Sequence, residues 1–348
     1  MRAEGVGSYW ARRVLGTPAA EPPMAGPPEP PSTPERAGRL LRQLLDRHRD
    51  RTLDELYPLR VVDTPEGPAA AIVTHRDVSP PAVDATQALS YLQTALELVF
   101  GIGPVYAERF RRQGLSRLEE LTDHPVFGPR ARRVLDLLAQ DPAEASALVR
   151  ERMSPSHPLL WWTTALFPLS SVLFVDIETL GLFGVAVILI GVGEWVDDRL
   201  RITQYVARDV SEEPAILAAF AAHVGTEAIL VSYNGRSFDW PMLSARAAYY
   251  GIPVNHSGWP HYDLLHFARH LWRDALPDFH ATTVEREILG MVRSDDLPGS
   301  YVPMFYEHYS QENNVGPLAY IVDHNLMDVA GMARIYTRLS EEWARRVG

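Results

Sequence analysis

SSVLFVDIETLGL, residues 170–182, runs apolar from Val172 to Val175 and then sets Asp176 and Glu178 one residue apart. Alternate residues of a strand face the same way, so a strand here aims both carboxylates in one direction. Two like charges held together call for a cation. In a chain with 44 acidic residues an Asp-x-Glu arises by chance, so the tripeptide gains weight only from its setting. Here a buried-strand signature precedes it, Gly181 bounds a turn after it, and two further acidic motifs follow downstream.

Composition narrows the chemistry. The chain has no cysteine, which removes disulfides, thiolate nucleophiles and cysteine-ligated zinc, and leaves oxygen or imidazole for any metal. All 33 basic residues are arginine, so Schiff-base chemistry and a Walker-type phosphate lysine are excluded; a genome favouring arginine codons accounts for the bias. A net charge of -11 argues against a general polyanion binder and shifts attention to local charge. With 348 residues and 46% hydrophobic content the chain can build a proper core, in one large domain or two small ones. The longest apolar stretch, Leu182 to Val192, is broken by Gly184 and falls short of the roughly 20 residues of a membrane helix. MRAEGVGSYWARRVLG at the start lacks the apolar core of a secretory signal. The expectation is a cytoplasmic protein without membrane partners.

Residues 1–34 form a proline-rich arm, with eight prolines between 18 and 34, for which disorder or polyproline structure is expected. Residues 35–152 are expected to form a mainly helical region. Within it, 35–56 has a leucine stripe, Leu59 to His75 reads as two strands around a turn at 64–67, and a second helix is expected over about 84–100. Residues 153–168 are read as a linker whose apolar patch, Leu159 to Trp162, docks on a neighbouring domain. The pattern from 169 to 348 predicts strands at 172–177, 186–194, 200–207 and 228–232, a helix at 212–223, and a largely helical remainder. The fold class is α/β: a mixed sheet flanked by helices, preceded by the mainly helical region.

Between about 98 and 140, Gly101-Ile102-Gly103 precedes a helix that Gly114 ends. This resembles a helix-hairpin-helix element, in which a Gly-x-Gly turn lets backbone amides approach a DNA phosphate. From Tyr106 to Arg133 seven arginines face four acids, charge enough to neutralise several phosphates. The other reading is a helical hairpin with a solvated basic face.

VSYNGRSFDWPML, residues 231–243, follows a strand with an Asn-Gly turn and places Asp239 in the first turn of the next helix, where the helix dipole alone favours an acid. In YIVDHNLMDVAGMARIY, residues 320–336, His324 and Asp328 lie four apart and share a helix face. Taken singly, these are a helix-start acid and a polar stripe.

In order, the three motifs resemble those of the DnaQ-like (DEDD) nucleases of the RNase H fold: Asp-x-Glu on a first strand, Asn-Gly-x-x-Phe-Asp in the middle, and an acid on a late helix. The resemblance is greatest to the bacterial YprB-like branch, through VSYNGRSFDWPML, DLLHFARHLW and LPGSYVPMFYEHY, and covers about residues 170–340. It implies an RNase H-like fold in which Asp176, Glu178, Asp239 and Asp328 hold two divalent cations, magnesium or manganese. Two hard cations roughly 3.5 to 4 Å apart suit phosphodiester hydrolysis. Relatives place a tyrosine four residues, or a histidine five residues, before the last aspartate to orient or deprotonate the attacking water. Here histidine stands four before Asp328. A neutral imidazole there would accept the water's proton near pH 7, so His324 is expected to be catalytic, hydrogen bonding to a ligand carboxylate being the other role.

Asn234 and Phe238 are expected to position a substrate strand. Arg236, Arg269, Arg293, Tyr233, Trp240, Tyr301 and Tyr306 are candidates for a groove that takes single-stranded nucleic acid, and Gly101 and Gly103 for phosphate contact. Asp263 is expected to cap a helix. The resulting expectation is a metal-dependent exonuclease acting 3′ to 5′ on DNA in repair, with polarity and exonucleolytic action implied by the resemblance. An exoribonuclease of the same chemistry and a non-catalytic nucleic-acid-binding subunit of a helicase partner are the alternatives.

Overall fold

The computed structural model describes residues 33–82, 84–182, 184–225, 228–254, 260–293 and 297–347. Residues 1–32 of the proline-rich arm lie outside these, while Thr33 and Pro34 open the first helix, where proline's missing N–H costs nothing. The single helix expected over 35–56 is two, Thr33–Arg47 and Leu53–Leu56. Asp50 between them adopts φ 58, a left-handed conformation that breaks the helical run.

Seven strands form one sheet: β1 (Leu59–Thr64), β2 (Gly67–Arg76), β3 (Val172–Thr179), β4 (Val187–Val196), β5 (Arg199–Val206), β6 (Ile229–Ser232) and β7 (His261–Asp263). Their spatial order is β1-β2-β5-β4-β3-β6-β7. The hairpin β1–β2 pairs antiparallel with β5, so it extends the sheet that carries the acidic motifs. β3, β4 and β5 are antiparallel neighbours, whereas β6 and β7 run parallel to β3. The three hairpin-connected strands and the crossover to β6 follow the spacing of turns and apolar runs in the sequence.

Alternation along β3 decides what Asp176 and Glu178 face. Leu173, Val175 and Ile177 enter the core under the helices Glu213–His223 and Asp239–Tyr250. Val172 and Phe174 enter the core on the other side with Leu326, Val329 and Tyr336 of the long helix Gly316–Val347. Asp176 and Glu178 continue that second series and therefore point toward the long helix. Gly191 and Gly193 on β4 let this helix come close: a Cβ at Gly191 would overlap the Asn325 side chain, and one at Gly193 would lie 2.6 Å from Val329.

The N-terminal helices join the same core. Leu159, Leu160, Trp161 and Trp162 are buried in the short helix Pro158–Trp162. The Trp161 ring meets Phe267, Tyr336 and Trp343 at centroid distances of 5.0, 4.9 and 5.3 Å. Full burial of one such side chain contributes about 1.5–3 kcal/mol, which ties this segment firmly to the sheet layer.

Candidate metal centre

The centre forms where β3 ends, where the turn after β6 enters a helix, and where the long helix crosses above. Pairing of β3 with β4 shifts register between Glu178 and Thr179, a bulge that ends the regular ladder beside the acids. Glu178 is 6% exposed and Asp239 8%. Asp239 is the first residue of its helix, and its Oδ1 accepts the Ile177 N–H at 3.2 Å, linking the middle motif directly to the strand between Asp176 and Glu178. On the long helix, His324 Nε2 lies 3.4 Å from Asp328 Oδ2.

Asp176 feels the charges of the other three acids, and Asp239 that of Asp328. Burial, followed by the charges of Asp328, Asp239 and Glu178, raises Asp176 well above the ordinary aspartate range; a hydrogen bond from Asn325 opposes the rise. Burial also pushes Asp239 up to about 7, against the pull of backbone N–H donors and with added repulsion from Asp263 and Asp328. Glu178, His324 and Asp328 each present a donor atom, and the three atoms lie within 4.8 Å of one another. Carboxylate oxygens and one imidazole, with repulsion among the acids only partly offset by Arg293, fit a hard divalent cation such as magnesium or manganese. This donor group includes His324, and Asp176 and Asp239 feel the charge of its Asp328.

Several side chains hold the donors in place. Asn325, fully buried, donates from Nδ2 to Asp176 Oδ2 at 2.8 Å and to the Asp176 carbonyl at 3.3 Å. Its own Oδ1 accepts from Gln204 Nε2 at 3.0 Å, and Gln204 also donates to the Val322 carbonyl at 2.8 Å. Sequence reading passed over Asn325, although it shares a face with Asp328 at i,i+3 and sits among apolar neighbours. The His324 ring stacks on Tyr320 at 5.9 Å, Tyr320 packs at a tilt on Phe305 at 4.7 Å, and the Tyr320 hydroxyl accepts the Leu297 N–H at 2.9 Å. The LPGSYVPMF segment thus steadies the imidazole from outside the helix. Asp323 turns away from the acids and accepts from the Tyr57 hydroxyl at 2.9 Å.

Asp263 caps the helix Leu264–Leu271 through Leu265 N–H at 3.1 Å. It also accepts from Asn234 N–H at 2.8 Å and Arg236 N–H at 3.3 Å, fixing the turn that leads to Asp239. Asn234 sits in that turn at φ 64. Asn234 and Arg236 are exposed and Phe238 half-buried, so the turn presents a polar surface beside the acids.

The wider groove expected from sequence is not formed by all of its candidates. Tyr306 is 2% exposed and donates to the Ala207 carbonyl at 3.0 Å, which makes it a core residue. The Tyr233 hydroxyl is used on the Phe279 carbonyl at 2.6 Å. Arg293, with a side chain 7% exposed, is engaged with Glu285 and Asp328 and does not face an open channel. Burial opposes its charge, but the hydrogen bonds it donates to Glu285 and the nearby Asp328 charge outweigh this and raise its pKa further. Gly101, at φ 92, and Gly103 precede the helix Pro104–Arg112. Gly103 lines a separate cleft of about 490 Å³ with Arg111, Arg152 and His157, and none of the four acids lines it. Arg111, Arg112 and Arg117 pair with Glu97, Glu108 and Glu119, which tempers the positive charge of this hairpin.

Residues 173–340 match the RNase_H_2 family model, described as RNase_H superfamily. The matched segment has an RNase H-like fold. Its span runs from β3 into the long helix and takes in all four acids and His324. The chain is also similar to Uncharacterized protein YprB of Bacillus subtilis (strain 168), with 33% identity over 177 residues, 50% of this chain and 43% of that one. It therefore spans less than half the length of that relative, and the shared part is a YprB-like RNase H fold. Among solved structures, the family B DNA polymerase from the hyperthermophilic archaeon Pyrobaculum calidifontis aligns with a TM-score of 0.37 and 20% identity, over 46% of this chain and 23% of that chain. No helix among the described residues is long and apolar enough to cross a membrane.

Proposed function

We propose that the RNase H domain is a metal-dependent nuclease, a 3′ to 5′ exonuclease acting on DNA in repair. The carrying observation is the convergence of Asp176, Glu178, Asp239 and Asp328 from three separate chain segments, with His324 beside them. Burial and the neighbouring acids raise the pKa of Asp176 and of Asp239 together, while Arg293 pairs with Asp328. Those four carboxylates would hold two divalent cations, which when bound supply activation of water and stabilisation of the leaving oxygen at a phosphodiester. Asn325 holds the Asp176 carboxylate in place, and the turn Asn234–Phe238 borders the acids where a nucleic-acid strand would enter. His324, stacked and aligned by Tyr320, takes the proton of the attacking water on Nε2. The Gly101–Gly103 turn and its arginines serve as an auxiliary phosphate contact, and DNA is favoured over RNA on that element.

The test is an end-labelled DNA and RNA cleavage assay with manganese. Wild-type protein is expected to shorten DNA from its 3′ end, to stop in EDTA, and to recover with added metal. Folded Asp176→Asn and Asp239→Asn proteins are expected at background. Full activity in either variant would sink the assignment; RNA-only ladders would redirect it to RNA, and salt-sensitive binding without cleavage would point to a binding subunit for a partner such as a helicase. His324→Gln should lose roughly 10²- to 10⁴-fold in rate at saturating metal with unchanged metal affinity. A loss of affinity instead would make His324 a ligand.

A further inference from the structure

Arg293 is held by a fork from which only one arm reaches the centre. Its Nε and Nη2 each lie 2.6 Å from an oxygen of Glu285, and its Nη1 lies 2.6 Å from Asp328 Oδ1. Glu285, with a side chain 2% exposed, belongs to the helix Ala281–Leu289, which packs on the long helix opposite Gly331; a Cβ at Gly331 would overlap the Glu285 carboxylate. Such a two-bond Arg–carboxylate contact fixes the guanidinium plane as well as its position. The two oxygens of Asp328 are thereby divided: Oδ1 faces Arg293, and Oδ2 lies 3.4 Å from His324 Nε2.

We propose that Arg293, anchored by Glu285, is a positioning residue that turns Asp328 Oδ2 toward Glu178 and His324 and so sets the affinity of the centre for a divalent cation. The inference rests on the metal-centre reading above and adds a residue that the acidic motifs do not contain. Without a partner on Oδ1, the Asp328 carboxylate, 23% exposed, has more freedom about its last torsion, and each wrong rotamer lowers the fraction of protein ready to bind. Arg293 removes that freedom before the cation arrives. It also offsets part of the repulsion among four acids, so the centre remains assembled without metal. Lysine cannot substitute, because a single ammonium lacks the planar fork needed to bridge Glu285 and Asp328 at once. A simpler role, in which Arg293 only ties its loop to the helix, affects folding stability and leaves cation affinity alone.

Binding of Mn²⁺ to the full chain, measured by calorimetry without nucleic acid, separates these roles. Arg293→Gln is expected to weaken Mn²⁺ binding by about 10- to 100-fold, the usual cost of removing an outer partner of a metal ligand. Arg293→Lys, which keeps the charge and is the safer variant for folding, should recover little of that loss. In combination with Asp328→Asn, Arg293→Gln should add almost nothing, because the residue it acts through is already neutralised. Wild-type affinity in Arg293→Gln and Arg293→Lys, or full additivity with Asp328→Asn, overturns the inference. Asp176→Asn is the reference: if it abolishes Mn²⁺ binding while the Arg293 variants bind normally, only the role of Arg293 falls. If wild-type protein binds no Mn²⁺, or Asp176→Asn binds it unchanged, the metal-centre reading falls too.

Discussion

Two buried acidic groups flank the sheet, one on each face, and they are built in opposite ways. Glu213, fully buried at the start of the helix Glu213–His223, has each oxygen satisfied. It accepts from Val187 N–H at 2.9 Å, from Arg246 Nε at 2.7 Å, from the Tyr250 hydroxyl at 2.9 Å, and from Arg246 Nη2. Its charge raises the pKa of Arg246, chiefly through their hydrogen bonds. Asp176, facing the long helix, and Asp239, at the start of the helix that follows β6, are instead pushed upward by burial and by other acids. A paired buried acid holds two helices and a strand together. Under the proposed function, acids that repel one another keep a place for a cation. Arg293 is the partial exception, since it compensates Asp328 and Glu285 together.

The largest effect expected from breaking this contrast is on the paired side. Arg246→Met leaves Glu213 buried without its cation and should destabilise the protein by about 3–5 kcal/mol, read as a fall in chemical-denaturation midpoint. An unchanged midpoint would mean that the Glu213 cluster is not structural. Next in size, Mn²⁺ at a hundred times its dissociation constant should stabilise wild-type and Arg246→Met proteins alike, by about 2.7 kcal/mol. Asp176→Asn should show almost none of this gain; equal stabilisation would place the cation elsewhere.

The smallest effect has the opposite sign from the first. Asp239→Asn without metal should stabilise the protein at pH 8 by on the order of 1 kcal/mol, by removing a buried like charge while keeping an oxygen for Ile177 N–H. Its pH dependence follows from the raised pKa of about 7 in the folded state. The unfolded chain releases this proton near pH 3.9, so between about pH 4 and 7 the folded form binds the extra proton and stability falls as pH rises. The melting-temperature difference between Asp239→Asn and wild-type protein should therefore widen from pH 5 to pH 8 in EDTA. A constant difference across that range would show that Asp239 titrates normally.

Much of the centre was legible in sequence because its motifs obey local periodicities. The i,i+2 spacing of Asp176 and Glu178 on an apolar strand, Asp239 at a helix start after Asn-Gly, and the i,i+4 spacing of His324 and Asp328 each follow from chain geometry within a few residues. The positions of the strands β3 to β6 came from the same source. Expectations failed where a side chain had a choice among distant partners. Arg293 and Tyr306 have the composition of a nucleic-acid groove, yet Arg293 is drawn into a buried carboxylate pair and Tyr306 into the core. Helix 35–56 failed for a local reason, the left-handed Asp50, which no apolar stripe reveals.

Which acids are present, their order, and the strand or helix face each occupies follow from the residues alone, since those depend on backbone periods of two and 3.6 residues. Long-range packing set the face of β3 carrying Asp176 under the helix carrying Asn325, partners 149 residues apart. It also decided that Gly191 would leave room for that contact, that the β1–β2 hairpin would extend the same sheet, and that Arg293 would reach Asp328. The reason is physical: burial and hydrogen-bond satisfaction are settled among all surfaces at once, and a residue's partner is whichever compatible group the closed core brings within about 3 Å.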